Sequence, residues 1–198
     1  MPTTPSENRV QFGFKNVYLV PIASFDSTTG VPTYGTPIRV PGGVSFDKSA
    51  DTSEASFAAD DNPNYFVIKK RSGISGNLTM AHFPAAALQA IWHDTTSANG
   101  INLDDADAIP EQFALLYEVE GDENETRWAE YCCTGSYPVA AHNTEGENPS
   151  PDTMATSITG KKVPLADGKQ HFSGSCLKGA TAYANWFTAT GFLPTVTP

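Results

Sequence analysis

Only three residues in the chain are cysteine, Cys132, Cys133 and Cys176. An odd count with an adjacent pair offers neither the spacing of a zinc site nor an even disulfide framework. All three are expected to be buried free thiols, with a vicinal Cys132–Cys133 disulfide as the alternative. Cations are scarce too: 12 Lys and Arg stand against 22 Asp and Glu, a net charge of −10. That balance excludes a basic stripe that grips phosphates. It suits solubility, and equally a surface past which DNA slides without sticking. No apolar run approaches the ~20 residues of a membrane span, so no membrane partner is expected. The opening MPTTPSENRVQ has neither a basic start nor an apolar core, so the chain is expected to be made and kept in the cytoplasm.

What is present is turn-rich β sequence. The 198 residues fit one large domain or at most two small ones. A composition of 39% hydrophobic and 17% charged residues, with 16 Gly and 15 Pro, suits a β-rich protein better than a helical bundle. FKNVYLVPI, from Phe14 to Ile22, reads as a strand buried on both faces. Ser24 to Pro37 is a turn-rich connection, and IRVPGGVSFDKSAD reads as two short strands around Pro41-Gly42-Gly43. In the second of these Val44 and Phe46 alternate with Ser45 and Asp47. GISGNLTMAHF alternates likewise, Ile74, Leu78 and Met80 against Ser75, Asn77 and Thr79.

FPAAALQAIWHD is expected to be an amphipathic helix with Pro84 at its first position and Leu88, Ile91 and Trp92 on its buried face. FALLYEVEGDENETRWAEYCC reads as a hairpin turning at Gly-Asp-Glu-Asn, and DTMATSITG as a further alternating strand. Thr181 is placed to cap a short helix bearing Tyr183, Trp186 and Phe187, closed by Gly191. Val17, Leu19, Val44, Phe46, Leu78, Met80, Leu88, Trp92, Leu115, Tyr117 and Ile158 are expected to form the core.

The chain carries few residues in patterns that chemistry would need. His93-Asp94 has no nucleophile motif or spaced carboxylate partner, so it reads as a charged helix end. The acids of DDADA lack the glycine and terminal glutamate of a calcium loop and read as a solvated turn. His142 and His171 stand alone. Asn124-Glu125-Thr126 fits a glycosylation sequon that a cytoplasmic chain does not use. Gly73 and Gly76 do not make a phosphate loop. No cofactor, metal or catalytic residue is expected.

Taken in order, FGFKNVYLVPI, YGTPIRVPGGVSFD, FAADDNPNYF, SGNLTMAHFP, FALLYEVEGDENETRWAEYCCTGSYPV and ATAYANWFTATGFLP resemble the major tail proteins of long-tailed bacteriophages, the phi13 type of tail tube subunit. Each stretch alone is ordinary β sequence; the ordered combination, over nearly the whole chain, carries the resemblance. Ser24 to Tyr34 and Asn143 to Pro151 depart from the pattern. The resemblance implies a mainly β fold: a β-sandwich or barrel of the tail tube type with one packed α-helix and a short C-terminal helix. It implies one domain over 1–198, with an assembly arm around 50–72 and a C-terminal segment at 163–198.

The implied role is structural and not enzymatic: a subunit that polymerises as stacked hexameric rings into the channel for genome ejection. Its partners are then copies of itself, a tape measure protein and a tail terminator, while phage DNA passes through without specific binding. Its place is the virion tail, and the host cytoplasm during assembly. Other virion proteins remain alternatives: a tail terminator, a capsid decoration protein or a carbohydrate-binding module. A small β-sandwich enzyme is a third class.

Two sets of site residues follow. Similar proteins carry an extended loop that reaches a neighbouring subunit or ring, and Phe57 to Arg71 lies at that place. Its residues Phe57, Asp60, Asp61, Asn64, Tyr65, Phe66, Lys69, Lys70 and Arg71 put acids at one end, cations at the other and aromatics between, as a head-to-tail contact requires. The bore is expected to be lined by the polar side of the alternating strands, Ser45, Asp47, Ser75, Asn77 and Thr79. Asp51 and Glu54 extend that lining if the strand from Val44 continues. The plainer reading is a solvated hairpin tip and an outer, solvent-facing sheet surface.

Overall fold

A computed structural model describes residues 12–120, 125–142 and 151–195. The expected turn at 121–124, the Asn124 sequon and most of the 143–151 loop lie outside those residues. In chain order the elements are β1 (Phe14–Phe25), β2 (Pro32–Tyr34), β3 (Ile38–Val40), β4 (Gly43–Ala59), β5 (Asn62–Met80), α1 (Ala85–Trp92), β6 (Thr95–Thr96), β7 (Asn102–Leu103), β8 (Phe113–Val119), β9 (Thr126–Gly135), β10 (Val139–Ala141), β11 (Thr153–Gly160), β12 (Val163–Pro164), β13 (Gln170–His171) and β14 (Ser173–Cys176). The protein is mainly β, with one large antiparallel sheet and one short helix.

That sheet has ten strands in the order β2-β1-β8-β9-β11-β5-β4, with β3, β10 and β14 paired beside this path. It curls on itself. Phe46 of β4 meets Tyr117 of β8 edge to face, ring centroids 5.6 Å apart, although three strands separate them in the sheet order. The expected sandwich or barrel is therefore one sheet wrapped around its own core.

The core has two parts because the central strands are apolar on both sides. On β1, Val17 and Leu19 face a first cluster with Leu78, Met80, Phe83, Leu115, Tyr117 and Ile158; Val20 and Ile22 face a second. Such two-sided strands read as continuous apolar runs, which is why FKNVYLVPI shows no alternation. Helix α1 closes the first cluster through Ala87, Ile91 and Trp92, with Leu88 half-buried at its edge. Buried Trp92 donates its Nε1 hydrogen to Gly135 O at 3.2 Å. Pro84 is the N-cap and not the first helical residue, and His93 ends the helix at a left-handed φ of 62°.

The C-terminal segment covers the second cluster, but it is not a helix. Ala180, Tyr183, Asn185, Trp186, Thr188 and Leu193 donate backbone N–H groups to carbonyls three residues back, in separate turns. Tyr183, Trp186 and Phe192 recur at multiples of three, and an i to i+3 turn stacks such residues over one another, whereas a 3.6-residue helix would rotate them off the sheet.

Val44 is also misplaced by the sequence: it is 53% exposed. Gly43 pairs with Met80 and Ser45 with Thr79, so Val44 is the extra residue of a β-bulge, which resets the alternation. Phe46 then faces inward opposite Leu78 as expected. The other expected core residues lie in or against the first cluster. All three cysteines are free and buried. His142 and His171 do not stand alone: each faces an aspartate, Asp152 at 3.0 Å and Asp167 at 2.8 Å.

Candidate assembly surfaces

Two short strands and a loop were expected between Val44 and Met80; the structure has one long hairpin. β4 runs 17 residues and β5 runs 19. From Met80 to Ile74, β5 is held between β4 and β11. Beyond that point the two strands pair only with each other, from Thr52 opposite Arg71 to Ala59 opposite Asn62. At about 3.3 Å per residue the eight positions of β4 from Thr52 to Ala59 project about 25 Å from the body. Asp60 and Asp61, at φ 51° and 57°, make the two-residue turn, and two adjacent positive φ values are what a tight hairpin connection requires.

The expected arm residues are thus together, and two of their five charges are engaged within the chain, while Asp60, Asp61 and Lys70 have no ion-pair partner among the described residues. Lys69 pairs with Glu54 across the hairpin at 3.0 Å, and Arg71 stacks on Phe172 with its guanidinium carbon 4.7 Å from the ring centre. What the arm presents is apolar. Directly opposed pairs share a face, so Phe57 and Phe66, Ala55 and Ile68, and Ser53 and Lys70 form one side of it. Phe57 is 63% and Phe66 57% exposed. Tyr65 is exposed as well.

The second surface is the outer face of β4, β5 and β11, with Thr134 of β9 at its edge; further along β9 that side belongs to the second core cluster through Tyr131 and Cys132. Its rungs read Ser45–Thr79–Ala155, Asp47–Asn77–Ser157, Ser49–Ser75–Thr159–Thr134 and Asp51–Gly73. In these rungs every side chain is small and the only charges are Asp47 and Asp51; beside Ala155 the sheet continues onto β10 at exposed Val139. Ser75 donates to Asp51 at 2.8 Å and Ser157 to Asn77 at 3.0 Å, so the rungs are cross-linked by their own hydroxyls. The expected lining residues Ser45, Asp47, Asp51, Ser75, Asn77 and Thr79 all lie here. Glu54 does not. It is three residues after Asp51 on an unbroken β4, so it points to the opposite side, where it meets Lys69. Sequence reasoning missed Ser49, Thr134, Ala155, Ser157 and Thr159, although carrying the alternation of KSAD and DTMATSITG two residues further finds all but Thr134.

The inner side of the same strands holds a buried charge pair. Glu130 on β9 is fully buried; Lys48 Nζ lies 2.5 Å from its Oε1, and Tyr117 donates to the same oxygen at 3.2 Å. Its Oε2 has no partner. Burial pushes the Glu130 carboxyl above its ordinary range, against the pull of Lys48 and Tyr117. Burial, with Glu130 alongside, likewise pushes the Tyr117 hydroxyl far up, so it remains a donor. Neighbouring Glu118 is held by Arg127 at 2.9 Å and Lys15 at 3.4 Å.

Nothing among the described residues groups three or more His, Cys, Asp or Glu in a way that could hold a metal ion. His93 and Asp94 are engaged structurally: His93 lies 3.4 Å from Glu111, and Asp94 accepts a hydrogen bond from Tyr137 at 2.9 Å. The DDADA segment is a solvated turn closed by Asp107 N–H donating to Asp105 at 3.0 Å.

No family model matches the chain, and no curated protein matches it. Among solved structures it is similar to the tube terminating cap of the anti-feeding prophage, at 12% identity over 89% of this chain and 99% of that one, with a TM-score of 0.39. A likeness of that size carries no argument about role.

Proposed function

We propose that this chain is a structural, non-enzymatic component of a phage-tail-like particle, assembling with copies of itself into rings whose bore is lined by the outer face of β4, β5 and β11. The observation that carries the reading is that face: three strands wide with Thr134 of β9 at its edge, its rungs built mostly of small hydroxyl, amide and acid side chains, without a cation or an aromatic. Duplex DNA presents one negative charge per ~1.7 Å of axis, and a lining that offers it neither cations nor stacking surfaces lets it pass. The arm supplies the other requirement, a projecting apolar surface that copies of the chain can bury against one another.

Stacked rings forming a tail tube are the preferred form, because a part projecting about 25 Å beyond the body suits contact between successive rings. A tape measure protein and a tail terminator are then the further partners. A terminal ring, the role named for the anti-feeding prophage chain, is the second form and stops at single rings. Negative-stain microscopy of the purified protein tests both. Tubes support the subunit and single rings the terminator, while monodisperse monomers at every concentration overturn the proposal.

A further inference from the structure

No Lys or Arg occurs between Ser72 and Thr126, the longest cation-free stretch in the chain. Within it, the segment from Asp94 to Glu111 leaves α1, forms the small β6–β7 ribbon and returns to the sheet at Phe113. It carries Asp94, Asp104, Asp105, Asp107 and Glu111. Asp104, Asp105 and Asp107 have no ion-pair partner among the described residues. The same segment leaves Ile101, Leu103 and Ile109 uncovered, Ile109 at 84% exposure. Ile101 stands immediately before β7 and Leu103 at its end.

The arm face is the complement of this segment: Phe57, Phe66, Ala55 and Ile68 beside the unpaired cation Lys70. Both surfaces are apolar, and Lys70 at the base of the arm face is opposite in sign to Asp104, Asp105 and Asp107; the arm's own unpaired acids, Asp60 and Asp61, lie in the turn at its tip, beyond the Phe57–Phe66 pair. The two surfaces also lie on opposite sides of the molecule. Phe113, Cys133, Gly160 and Ile74 form one rung across β8, β9, β11 and β5. From that rung the arm departs in the direction in which β8 runs, and the acidic segment precedes Phe113 on the other side. The arm of one copy therefore points away from its own acidic segment and toward that of a copy placed in line with it.

We infer that in the assembled polymer the apolar face of the arm docks on the acidic, apolar segment 94–111 of the next copy. The inference rests on the self-assembly reading above and specifies its contact. Such a contact joins two different surfaces, so each copy that docks leaves a free arm and a free segment, and the array propagates. Lys70 against the aspartates sets orientation and rate of encounter, while the aromatics supply buried area.

Charge exchange in the full-length protein tests this, read by sedimentation and microscopy. Lys70→Glu alone and Asp104→Lys with Asp105→Lys alone should each cut the sedimentable polymer about tenfold, and all three in one chain should restore most of it. Normal polymer from the Asp104/Asp105 variant, with polymer lost from Lys70→Glu, overturns the docking site and leaves the self-assembly reading standing. Wild-type protein that never polymerises sinks the underlying reading instead. Should a charge variant fail to fold, Phe57→Cys with Ile109→Cys in one chain decides. Oxidation of preformed polymer should give a ladder of disulfide-linked oligomers, and absence of that ladder overturns the inference.

Discussion

Lys48 and Glu130 tie the base of the projecting hairpin to the centre of the sheet, Nζ to Oε1 at 2.5 Å, with Glu130 fully buried on β9 and Lys48 half-buried on β4. The carboxyl's affinity for a proton is raised by the fold, with burial the larger cause and the lysine opposing it. A raised carboxyl binds its proton more tightly folded than unfolded. This group's contribution therefore favours the fold at low pH and declines as pH climbs from the ordinary glutamate range through the raised value. Glu130→Gln should remove that decline. Melting temperatures from pH 4 to pH 8 should show the Gln variant gaining on the wild type as pH rises. A variant that instead loses ground with rising pH would mean that the ion pair outweighs burial.

The arm is expected to serve assembly and not the fold, since beyond Thr52 and Arg71 it has no partner strand. Replacing Phe57 and Phe66 with Ser should abolish polymerisation while shifting unfolding free energy by no more than about 0.5 kcal/mol, as for exposed sites. Deleting Asp60 to Asn64 should do the same by removing the turn. Tubes at normal yield from either variant contradict the assignment.

Helix α1 closes the first core cluster mainly through Trp92, whose ring meets Phe83 at 5.6 Å and Phe113 at 6.3 Å. Trp92→Ala should cost about 3–5 kcal/mol in urea unfolding, as large-to-small core changes do. Val44→Ala, at the bulge, should cost less than about 0.5 kcal/mol. A comparable loss at both positions would refute the bulge.

On the polar face, Asp47→Lys with Asp51→Lys adds two cations per subunit where the face has none. Tubes should still assemble, because both side chains point away from the core, but phage carrying them should eject DNA slowly. The defect should ease at higher salt as phosphate contacts are screened. Normal ejection through tubes verified to contain both lysines would falsify the bore assignment.

The C-terminal turns should be worth as much as a helix would be. Trp186 is buried in the second cluster and donates its Nε1 hydrogen to Trp128 O at 3.3 Å. Trp186→Ala should cost about 3 kcal/mol or more by calorimetry. A negligible loss would show that the segment merely lies on the sheet.

Local pattern and composition suffice for a mainly β chain, the inward Leu78 and Met80, the two-sided strand at Val17 to Ile22, and a helix built on Ile91 and Trp92. The same pattern also places Ser45, Asp47, Ser75, Asn77 and Thr79 on one side of their strands, because period-2 alternation is a property of each strand alone. Tertiary pairing decided the rest. The bulge at Val44 exists only between β4 and β5 and reverses a face without any mark in the sequence. Glu54 fell to the wrong side of the expected lining because its parity on β4 matches Phe46 and not Asp51. Ser, Ala, Asp and Glu, which make up most of the stretch between Lys48 and Asp60, have weak strand preference, so β4 is long there because β5 pairs with it across the arm. The polar face is likewise a product of register: four strands far apart in sequence bring their small residues into common rungs only once the sheet has formed.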